Sequence, residues 1–340
     1  LTKLKNGLAK VVNKVSNLFT GEDAMETEKG YEFEYEEQGL AGAEFSIYAR
    51  ETIYSPDGQM DSEGNRIIRF EKDALVGTIV TDEKGKGTLN NLPIGKFYIK
   101  ETKTGDSFVL DPKEQDFEIT YQGQEVAVDY VTKEIKNQRQ KVEIEVLKRS
   151  EATKEPLAGV SFGLYAGEDL LNAAGEIVVK KDELVAVGKT DEEGKLKYQD
   201  TIPHGKYYLK ELENLPGYLP FEEKIEIDAS YTDPKLEVIS IQKEVENQPT
   251  KVEITKTDIT GEKEVEGAKL QILDKEGDVV EEWTSTKEPH LIYALKPGKY
   301  ILHEEQAPTE NGYVKAEDVE FTVEETGEIQ KVSMKDDHSK

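Results

Sequence analysis

Short runs of alternating apolar and polar residues make up most of the chain from Gly30 onward. Val142-Glu143-Ile144-Glu145-Val146 and Val252-Glu253-Ile254 show the period of two that is typical of strands with one buried face. Polar turns separate the runs: Asp82-Glu83-Lys84-Gly85, Asp191-Glu192-Glu193-Gly194, Pro203-His204-Gly205 and Lys296-Pro297-Gly298. Strands that recur every 8 to 12 residues or so between such turns predict antiparallel β-sandwiches.

The first 20 or so residues follow a different period. Apolar residues recur at helical spacing, at Leu4, Leu8, Val11, Val12, Val15, Leu18 and Phe19. Four lysines precede the first acid, Glu22; they are Lys3, Lys5, Lys10 and Lys14. The pattern predicts a short amphipathic N-terminal helix, with an acidic linker that ends at residue 29. Such a helix would lie on a membrane surface or pack against a neighbouring domain.

Three segments of the chain repeat the same features. Each has a small-residue strand opening, an aromatic strand that ends in glutamate, and an Asn or Asp further on. The glycines of the openings are Gly42, Gly159 and Gly267, the glutamates are Glu101, Glu211 and Glu304, and the last residues are Asn137, Asn247 and Asp336. Glutamate and asparagine are 36 residues apart in both of the first two repeats. Self-similarity on this scale predicts a tandem array of small domains.

The repeats predict domain boundaries directly after Asn137 and Asn247, at the short linkers Gln138-Arg139-Gln140 and Gln248-Pro249-Thr250. We therefore predict a leading segment and three domains, at 1–29, 30–140, 141–250 and 251–340. The glycine-to-glutamate interval is 59, 52 and 37 residues in the three repeats, so the first two domains carry insertions. The domain 1 insertion contains Asp61-Ser62-Glu63-Gly64-Asn65, which favours a hairpin turn because it lacks the full calcium-loop pattern.

Two lysines stand where a buried site would need them. Lys148 lies eleven residues before Gly159, and Lys256 lies eleven before Gly267. Both continue the apolar face of an alternating run and are therefore predicted to point inward, where an unpaired ammonium is costly. An apolar residue stands two positions before the Asn or Asp at the far end of each repeat, so that both share one face of a strand. These pairs are Ile135 and Asn137, Val245 and Asn247, and Met334 and Asp336. Asp336 is preferred to Asp337 because it stands four residues before a lysine, as the two asparagines do.

An inward Lys, Glu and Asn or Asp can form a buried polar triad, or they can react. Desolvation lowers the pKa of a lysine and raises that of a glutamate, which favours a neutral amine and a protonated acid. The amine is then a nucleophile, and the acid can polarise the amide and transfer protons. The product would be an isopeptide bond between the first and last strands, formed without cofactor or metal because the fold supplies proximity.

From about Gly30 to Lys340 the chain resembles a known family. Tyr300-Ile301-Leu302-His303-Glu304, with Ala307-Pro308 and Gly312-Tyr313 after it, resembles the E-box of the collagen-adhesin B-type, or SpaA-like, domains of Gram-positive surface proteins and pilins. Tyr207 to Glu211, followed by Pro216-Gly217-Tyr218, is similar. The resemblance implies all-β, transthyretin-like, Ig-related sandwiches. It also implies isopeptide bonds Lys148–Asn247 and Lys256–Asp336, with Glu211 and Glu304 as the proton-transfer residues.

Domain 1 departs from this pattern. Tyr31, not a lysine, stands eleven residues before Gly42. Lys29 would share one strand face with Tyr31 but lies two residues further back, thirteen before Gly42. Glu101 and Asn137 are present. Because no amine is correctly placed, we expect no bond in domain 1, with Lys29 as a doubtful donor.

Composition narrows the class of partner. The net charge of -27 argues against nucleic acid as a partner, because its phosphates would repel the chain.

There is no cysteine, so disulfides do not stabilise the domains. No apolar run approaches the roughly 18 residues of a membrane span. The chain starts at Leu1 and shows no signal or anchor segment, so we expect a monomeric fragment of a longer protein whose neighbouring domains are its partners.

These features lead us to expect a structural or adhesive stalk segment, extracellular and associated with the cell wall of a Gram-positive bacterium. The alternative is a ligand-binding adhesin module for host matrix proteins or glycans that uses the domain 1 insertion, with Tyr48 and Tyr54 as candidates. A turnover enzyme is not expected, because the four histidines are dispersed and no nucleophile motif occurs. Isopeptide formation would be a single-turnover, autocatalytic event.

Overall fold

The computed structural model describes residues 2–16, 28–55, 58–120, 133–308 and 312–338, with side chains described from residue 30 onward except at 133 and 134. Every regular element within these ranges is a strand. No helix there is long and apolar enough to cross a membrane. The predicted all-β array of three sandwiches is confirmed, and each domain has its own hydrophobic core.

Domain 1 is a sandwich of two four-stranded sheets with a small hairpin. One sheet has the order β6-β3-β8-β9, the other joins β10, β1, β2 and β7, and β4 pairs with β5. The strands are β1 (Thr2–Ser16), β2 (Glu28–Gln38), β3 (Glu44–Ala49), β4 (Ile53–Tyr54), β5 (Ile68–Phe70), β6 (Leu75–Val80), β7 (Lys86–Gly87), β8 (Gly95–Lys103), β9 (Gln115–Ile119) and β10 (Lys133–Lys136).

Domain 2 repeats the two-sheet arrangement. One sheet has the order β16-β11-β19, the facing sheet has the order β15-β12-β17-β18, and β13 pairs with β14. The strands are β11 (Lys141–Ser150), β12 (Ser161–Ala166), β13 (Leu170–Leu171), β14 (Ile177–Val179), β15 (Leu184–Lys189), β16 (Lys195–Lys197), β17 (Gly205–Glu213), β18 (Ile225–Ala229) and β19 (Val238–Asn247).

Domain 3 has the smallest strand set. Its sheets have the orders β23-β20-β27-β25 and β22-β21-β24-β26. The strands are β20 (Lys251–Asp258), β21 (Lys269–Leu273), β22 (Val279–Thr284), β23 (His290–Tyr293), β24 (Gly298–Gln306), β25 (Tyr313–Val314), β26 (Val319–Val323) and β27 (Ile329–His338).

The sheets are not purely antiparallel. In domains 2 and 3 the first strand runs parallel to the last, β11 beside β19 and β20 beside β27. All other strand pairs of these two domains are antiparallel. Parallel neighbours need a crossover connection, and here the rest of the domain supplies it. The chain therefore enters and leaves each domain along adjacent strands that point the same way.

The N-terminal helix predicted from the spacing of apolar residues is wrong for the residues that the structure describes. Thr2–Ser16 forms β1, while Leu18 and Phe19 of the predicted helix lie outside the described residues. Asn6–Ser16 pairs antiparallel with Glu28–Gln38, so the neighbouring strand satisfies the backbone. Helical spacing is a weak signal in a segment rich in β-branched valines, and strand pairing overrides it.

The first four residues of β1 belong to domain 1. Thr2–Lys5 pairs parallel with the last strand, Lys133–Lys136, and Thr2–Lys3 pairs antiparallel with Lys86–Gly87. This is the place that β11 takes in domain 2, between β19 and β16. The first strand of domain 1 thus precedes the range 30–140. The antiparallel pair of Asn6–Ser16 with Glu28–Gln38, called the hairpin below, separates it from the Gly42 turn.

The second strand of that hairpin packs on domain 2. Tyr31, Phe33 and Tyr35 alternate along β2 and so share one face. Phe33 is 5% exposed and lies in the hydrophobic core of domain 2. The Tyr31 hydroxyl donates to the Glu183 carboxylate, and the Tyr35 hydroxyl donates to the carbonyl of Thr201 at 2.5 Å. Domain 1 therefore contributes part of the core of its neighbour.

A buried hydroxyl fixes the strand opening in every domain. Gly42 adopts a positive φ of 76°, a conformation that favours glycine. The Thr81 hydroxyl donates to the carbonyl of Leu40 at 2.6 Å and accepts from the amide of Ala43 at 3.0 Å. The same arrangement occurs at Gly159 with Thr190 and at Gly267 with Ser285. This interaction explains why the small-residue motif recurs in all three domains.

The linkers are held by both of the domains that they join. The backbone amide of Gln140 donates to Ser107 in domain 1 at 2.8 Å, and its buried side chain donates to three carbonyls of domain 2, those of Thr232, Asp233 and Leu236. At the second junction the Thr250 amide donates to Gly217 at 2.9 Å and its hydroxyl donates to Leu295 at 2.6 Å. Because linker polar groups are buried and satisfied, hinge motion would leave them unpaired.

The contact of the hairpin with domain 2 can be tested by mutation. We expect Phe33→Ala to destabilise domain 2 by about 3 to 5 kcal/mol, because it removes a buried aromatic ring from that core. Hydrogen exchange of β15 amides measures the effect. Glu34→Ala is the matched control, since Glu34 is exposed on the same strand. Equal exchange in both variants would contradict the assignment of Phe33 to the domain 2 core.

Candidate functional site

The structure brings Lys148, Glu211 and Asn247 together in the core of domain 2. Lys148 lies on β11 and Asn247 ends β19, so both belong to one sheet, while Glu211 lies on β17 of the facing sheet. The parallel register places Lys148 opposite Val245, and Asn247 stands two residues further on the same face. Lys148 is completely buried and Asn247 is 2% exposed.

The three side chains contact one another directly. The Lys148 ammonium donates to Asn247 Oδ1, and its Nζ lies 3.9 Å from Glu211 Oε2. Asn247 Nδ2 donates to Glu211 Oε1 at 2.8 Å and to Asn214 Oδ1 at 2.8 Å. Phe162 and Phe221 place their rings 5.7 and 5.8 Å from Nζ, so the surroundings of the amine are largely apolar.

Burial sets the protonation of the domain 2 site. It lowers the pKa of Lys148 to about 8, against the opposing effect of the Glu211 carboxylate. Burial also raises the pKa of Glu211, although Lys148 and the hydrogen bond from Asn247 act in the other direction. Both shifts favour a neutral amine beside a protonated carboxyl. That is the combination that nucleophilic attack on an amide requires.

Domain 3 forms an equivalent set from Lys256, Glu304 and Asp336. Lys256 lies on β20 opposite Met334, and Asp336 follows two residues later on β27. The ammonium contacts both carboxylates, one from each sheet. Glu304 and Asp336 are fully buried, and Lys256 is 2% exposed. Burial raises the pKa of Asp336, against the opposing effect of Lys256.

Domain 1 holds two of the three groups. Asn137 Nδ2 donates to both oxygens of Glu101, at 2.7 and 2.8 Å, and to the carbonyl of Val109 at 3.0 Å. Glu101 is 2% and Asn137 5% exposed. Burial raises the pKa of Glu101 to about 7. The Asn137 Oδ1 atom is buried and has no hydrogen-bond partner among the side chains that the structure describes.

Lys29 and Tyr31 lie away from this pair. Lys29 stands on β2 opposite Val15 of β1, on the strand that packs against domain 2. Tyr31 hydrogen-bonds to Glu183 of domain 2. The count of eleven residues before glycine fails in domain 1, because the hairpin separates the first strand from the Gly42 turn.

Local backbone features hold each glutamate in place. A β-bulge follows all three glutamates, because the pairing of β8 with β3, of β17 with β12 and of β24 with β21 shifts there by one residue. A backbone amide of the next loop then donates to each carboxylate, at 3.0 to 3.1 Å. The donors are Asp111, Phe221 and Ala316. The bulges and these amides are not visible in the hydrophobic pattern, and neither is the contact of Asn214 with Asn247.

The arrangement in domains 2 and 3 brings together the groups that amide formation needs. No group of three or more His, Asp or Glu residues in the described ranges could hold a metal ion. In the domain 1 insertion, Asp61 Oδ1 accepts the amides of Glu63 and Asn65 at 2.9 and 2.8 Å and so forms a turn. Tyr48 stacks on Tyr98 at 5.1 Å and Tyr54 lies under Arg66 at 4.1 Å, so both rings are engaged in packing.

Comparison with known proteins identifies the family. The family model of the SpaA prealbumin-like fold domain matches residues 32–134, 142–244 and 250–338. The chain therefore belongs to the SpaA prealbumin-like domain family, in three tandem copies. No curated protein matches the chain.

Solved structures similar to the chain include two pilins and one further bacterial protein. The Bacillus anthracis TIE protein is 22% identical over 97% of this chain, with a TM-score of 0.48. The present chain spans only 59% of the length of that protein. BcpA, the major pilin subunit of Bacillus cereus, is 16% identical over 97% of this chain and 100% of its own, with a TM-score of 0.35. A streptococcal ancillary pilin is 19% identical over 88% and 93% of the two chains, with a TM-score of 0.30.

The unusual pKa of Glu101 gives a direct prediction. Folded Glu101 holds its proton up to about pH 7, whereas an unfolded glutamate releases it near its ordinary pKa of 4.5. Stability of domain 1 should therefore fall as pH rises through this window, by about 3 kcal/mol at most. NMR titration of ¹³C-labelled glutamate carboxyls should show one carboxyl with a midpoint near 7 that is missing in Glu101→Gln. Glu118→Gln, an exposed change in the same domain, should leave it unchanged.

Proposed function

We propose that this chain is a load-bearing stalk segment of a Gram-positive cell-surface protein or pilin, stabilised by two self-formed isopeptide bonds. The bonds join Lys148 to Asn247 and Lys256 to Asp336. The observation that carries the proposal is the contact of a fully buried lysine amine with a side-chain carbonyl and a buried glutamate, repeated in two domains. A buried ion pair or polar triad adds little stability by itself, whereas a covalent bond would justify its burial.

In domain 2 the neutral amine of Lys148 attacks Cγ of Asn247. Glu211 accepts a proton from the attacking nitrogen and delivers one to Nδ2, with which it already shares a hydrogen bond. The C–Nδ2 bond breaks and ammonia leaves. In domain 3 the electrophile is the protonated carboxyl of Asp336, and water is the leaving group. Each reaction occurs once, because its product consumes the amine and the acceptor, so the chain is not a turnover enzyme.

The position of the bonds explains how they would act mechanically. The lysine lies on the strand by which the chain enters the domain, and the acceptor on the strand by which it leaves. Pulling force would then pass from the first strand to the last through a covalent bond, without loading the other strands. The Lys148–Asn247 link would also close a loop of about 100 residues, which stabilises by roughly 4 to 5 kcal/mol in the chain-entropy account.

The second candidate function is ligand binding by the domain 1 insertion. The β4–β5 hairpin and its flanks expose three large apolar side chains: Met60 at 62%, Ile68 at 47% and Ile67 at 38%. Exposed apolar groups of this kind can contact a host matrix protein or the apolar face of a glycan. A binding screen against both classes tests it, with Met60, Ile67 and Ile68 all changed to serine as the comparison. Binding that the triple variant loses would favour an adhesin.

Intact mass is the first test of the two bonds. The chain should be lighter than its sequence mass by about 35 Da, since each Lys–Asn bond releases ammonia (about 17 Da) and each Lys–Asp bond releases water (about 18 Da). Lys148→Arg should abolish the first loss and Lys256→Arg the second. Lys154→Arg, an exposed lysine of domain 2, is the matched control. An unshifted mass together with unmodified Lys148 and Lys256 in peptide maps would contradict the proposal.

Single-molecule pulling tests the mechanical role. With the bond present, domain 2 should not extend. Glu211→Gln should release the 99 residue steps between Lys148 and Asn247, a gain of roughly 340 Å in contour length at about 3.4 Å per residue. Glu213→Gln, an exposed change on the same strand, should keep the domain inextensible. Full extension of domain 2 in the unmodified chain would exclude a load-bearing bond.

A further inference from the structure

One further side chain of domain 2 contacts the candidate site. Asn214 directly follows β17, three residues after Glu211, and is half-buried. Its Oδ1 accepts a hydrogen bond from Nδ2 of Asn247 at 2.8 Å. Glu211 Oε1 accepts the other hydrogen of that nitrogen, also at 2.8 Å. Both hydrogens of the Asn247 amide therefore have an acceptor, and its Oδ1 is left to face the Lys148 amine.

The backbone fixes the direction of the Asn214 side-chain amide. Its Oδ1 also accepts from the backbone amide of Leu215 at 2.8 Å, and its Nδ2 donates to the carbonyl of Tyr218 at 2.9 Å. The first partner can only donate and the second can only accept, so a half-turn of the side-chain amide would break both hydrogen bonds. Asn214 therefore presents an oxygen, and not a nitrogen, to Asn247.

Glu211 alone would not orient the Asn247 amide. Burial raises the pKa of Glu211, and a protonated carboxyl both donates and accepts hydrogen bonds. Such a carboxyl can pair with either the oxygen or the nitrogen of an amide. Asn214 Oδ1 can only accept, so it pairs with the nitrogen alone. The choice between the two orientations of the Asn247 amide therefore depends on Asn214.

Only one of these orientations suits the reaction. With Oδ1 toward Lys148, the lone pair of the neutral amine stays free to attack Cγ, and the leaving nitrogen lies against the glutamate that protonates it. In the other orientation an N–H of Asn247 would point at the amine and occupy its lone pair. The amide oxygen would then take the place of the leaving nitrogen beside Glu211. Attack would lack both a free nucleophile and a proton donor for the leaving group.

The other domains agree with this role. The bulge after each glutamate aligns the position of Asn214 with Ala307 in domain 3, which has no side-chain acceptor. The electrophile there is the carboxyl of Asp336, whose two oxygens are equivalent and need no orientation. In domain 1 the carbonyl of Val109 accepts from Nδ2 of Asn137 at 3.0 Å. Each asparagine thus has a second acceptor for its nitrogen, whereas the corresponding side chain beside the aspartate supplies none.

We propose that Asn214 is a positioning residue for isopeptide formation in domain 2, which holds the Asn247 amide with its carbonyl toward the lysine and its nitrogen toward the glutamate. This inference rests on the proposed function, since it concerns the Lys148–Asn247 bond. Asn214 neither gains nor loses a proton, and the bonds that form and break are those of the lysine and the asparagine. Its effect is therefore specific to an amide acceptor.

The rate of bond formation in the full chain tests the proposal. The chain is made by cell-free synthesis and quenched in acid at intervals, and the tryptic peptide cross-linked between Lys148 and Asn247 is quantified by mass spectrometry. Asn214→Ala should slow its appearance by about 3- to 10-fold, the effect of one hydrogen bond on a barrier. The domain 3 cross-link in the same sample should form at an unchanged rate. Asn172→Ala is the matched control, because that asparagine also accepts backbone amides in a turn of domain 2.

An aspartate acceptor separates orientation of the amide from support of the turn. In an Asn247→Asp background the two carboxyl oxygens are equivalent, so Asn214→Ala should leave the rate nearly unchanged. Each variant is compared at its own optimal pH, which removes differences in carboxyl pKa.

Two results would overturn the positioning role and leave the proposed function intact. One is equal slowing by Asn214→Ala in both backgrounds, which would show that Asn214 only supports the turn. The other is an unchanged rate when Asn214→Ala is made in the chain that keeps Asn247. Absence of the domain 2 cross-link from the unmodified chain would overturn the proposed function and the positioning role together.

Discussion

The cores of domains 2 and 3 are each built around one amine that is buried between two sheets. Lys148 and Lys256 lie in apolar cores where an ammonium is poorly solvated, and each is held by a carbonyl or carboxylate of the last strand and a glutamate of the facing sheet. Removal of any one partner would leave a buried polar group unpaired. In both domains this contact joins the first strand to the last, which run parallel in a fixed register. The packing of these cores and the candidate chemistry therefore depend on the same buried contact.

Periodicity and parity predicted much of this arrangement. The period of two placed Lys148 and Lys256 on the inner face of their strands. The features repeated in all three segments of the chain marked Glu211, Glu304, Asn247 and Asp336. These predictions work because a strand has two faces, so that a lysine which continues an apolar face has one direction available. The parallel pairing, the bulge after each glutamate and the amides of Asp111, Phe221 and Ala316 depend on contacts between distant segments, which the hydrophobic pattern does not encode.

Domain 1 shows where sequence spacing stops being informative. A count of eleven residues before the opening glycine assumes that the first strand leads directly into the Gly42 turn. In domain 1 a hairpin intervenes, so the count reaches Tyr31 on a strand that packs against domain 2. The helical spacing of the N-terminal segment had hidden that strand. The hairpin was detectable only through its partners, namely the aromatic face of β2 and the core of domain 2.

That hairpin also sets the order in which the protein can complete its fold. Tyr31 and Tyr35 bond to residues 152 and 166 positions later in the chain. During synthesis, the aromatic face of β2 emerges long before Glu183 and Thr201 are available to cover it. Contacts of such long sequence separation form slowly, because loop closure precedes their stabilisation. The core of domain 2 is consequently complete only once β2 of domain 1 has packed against it, which couples the maturation of the two domains.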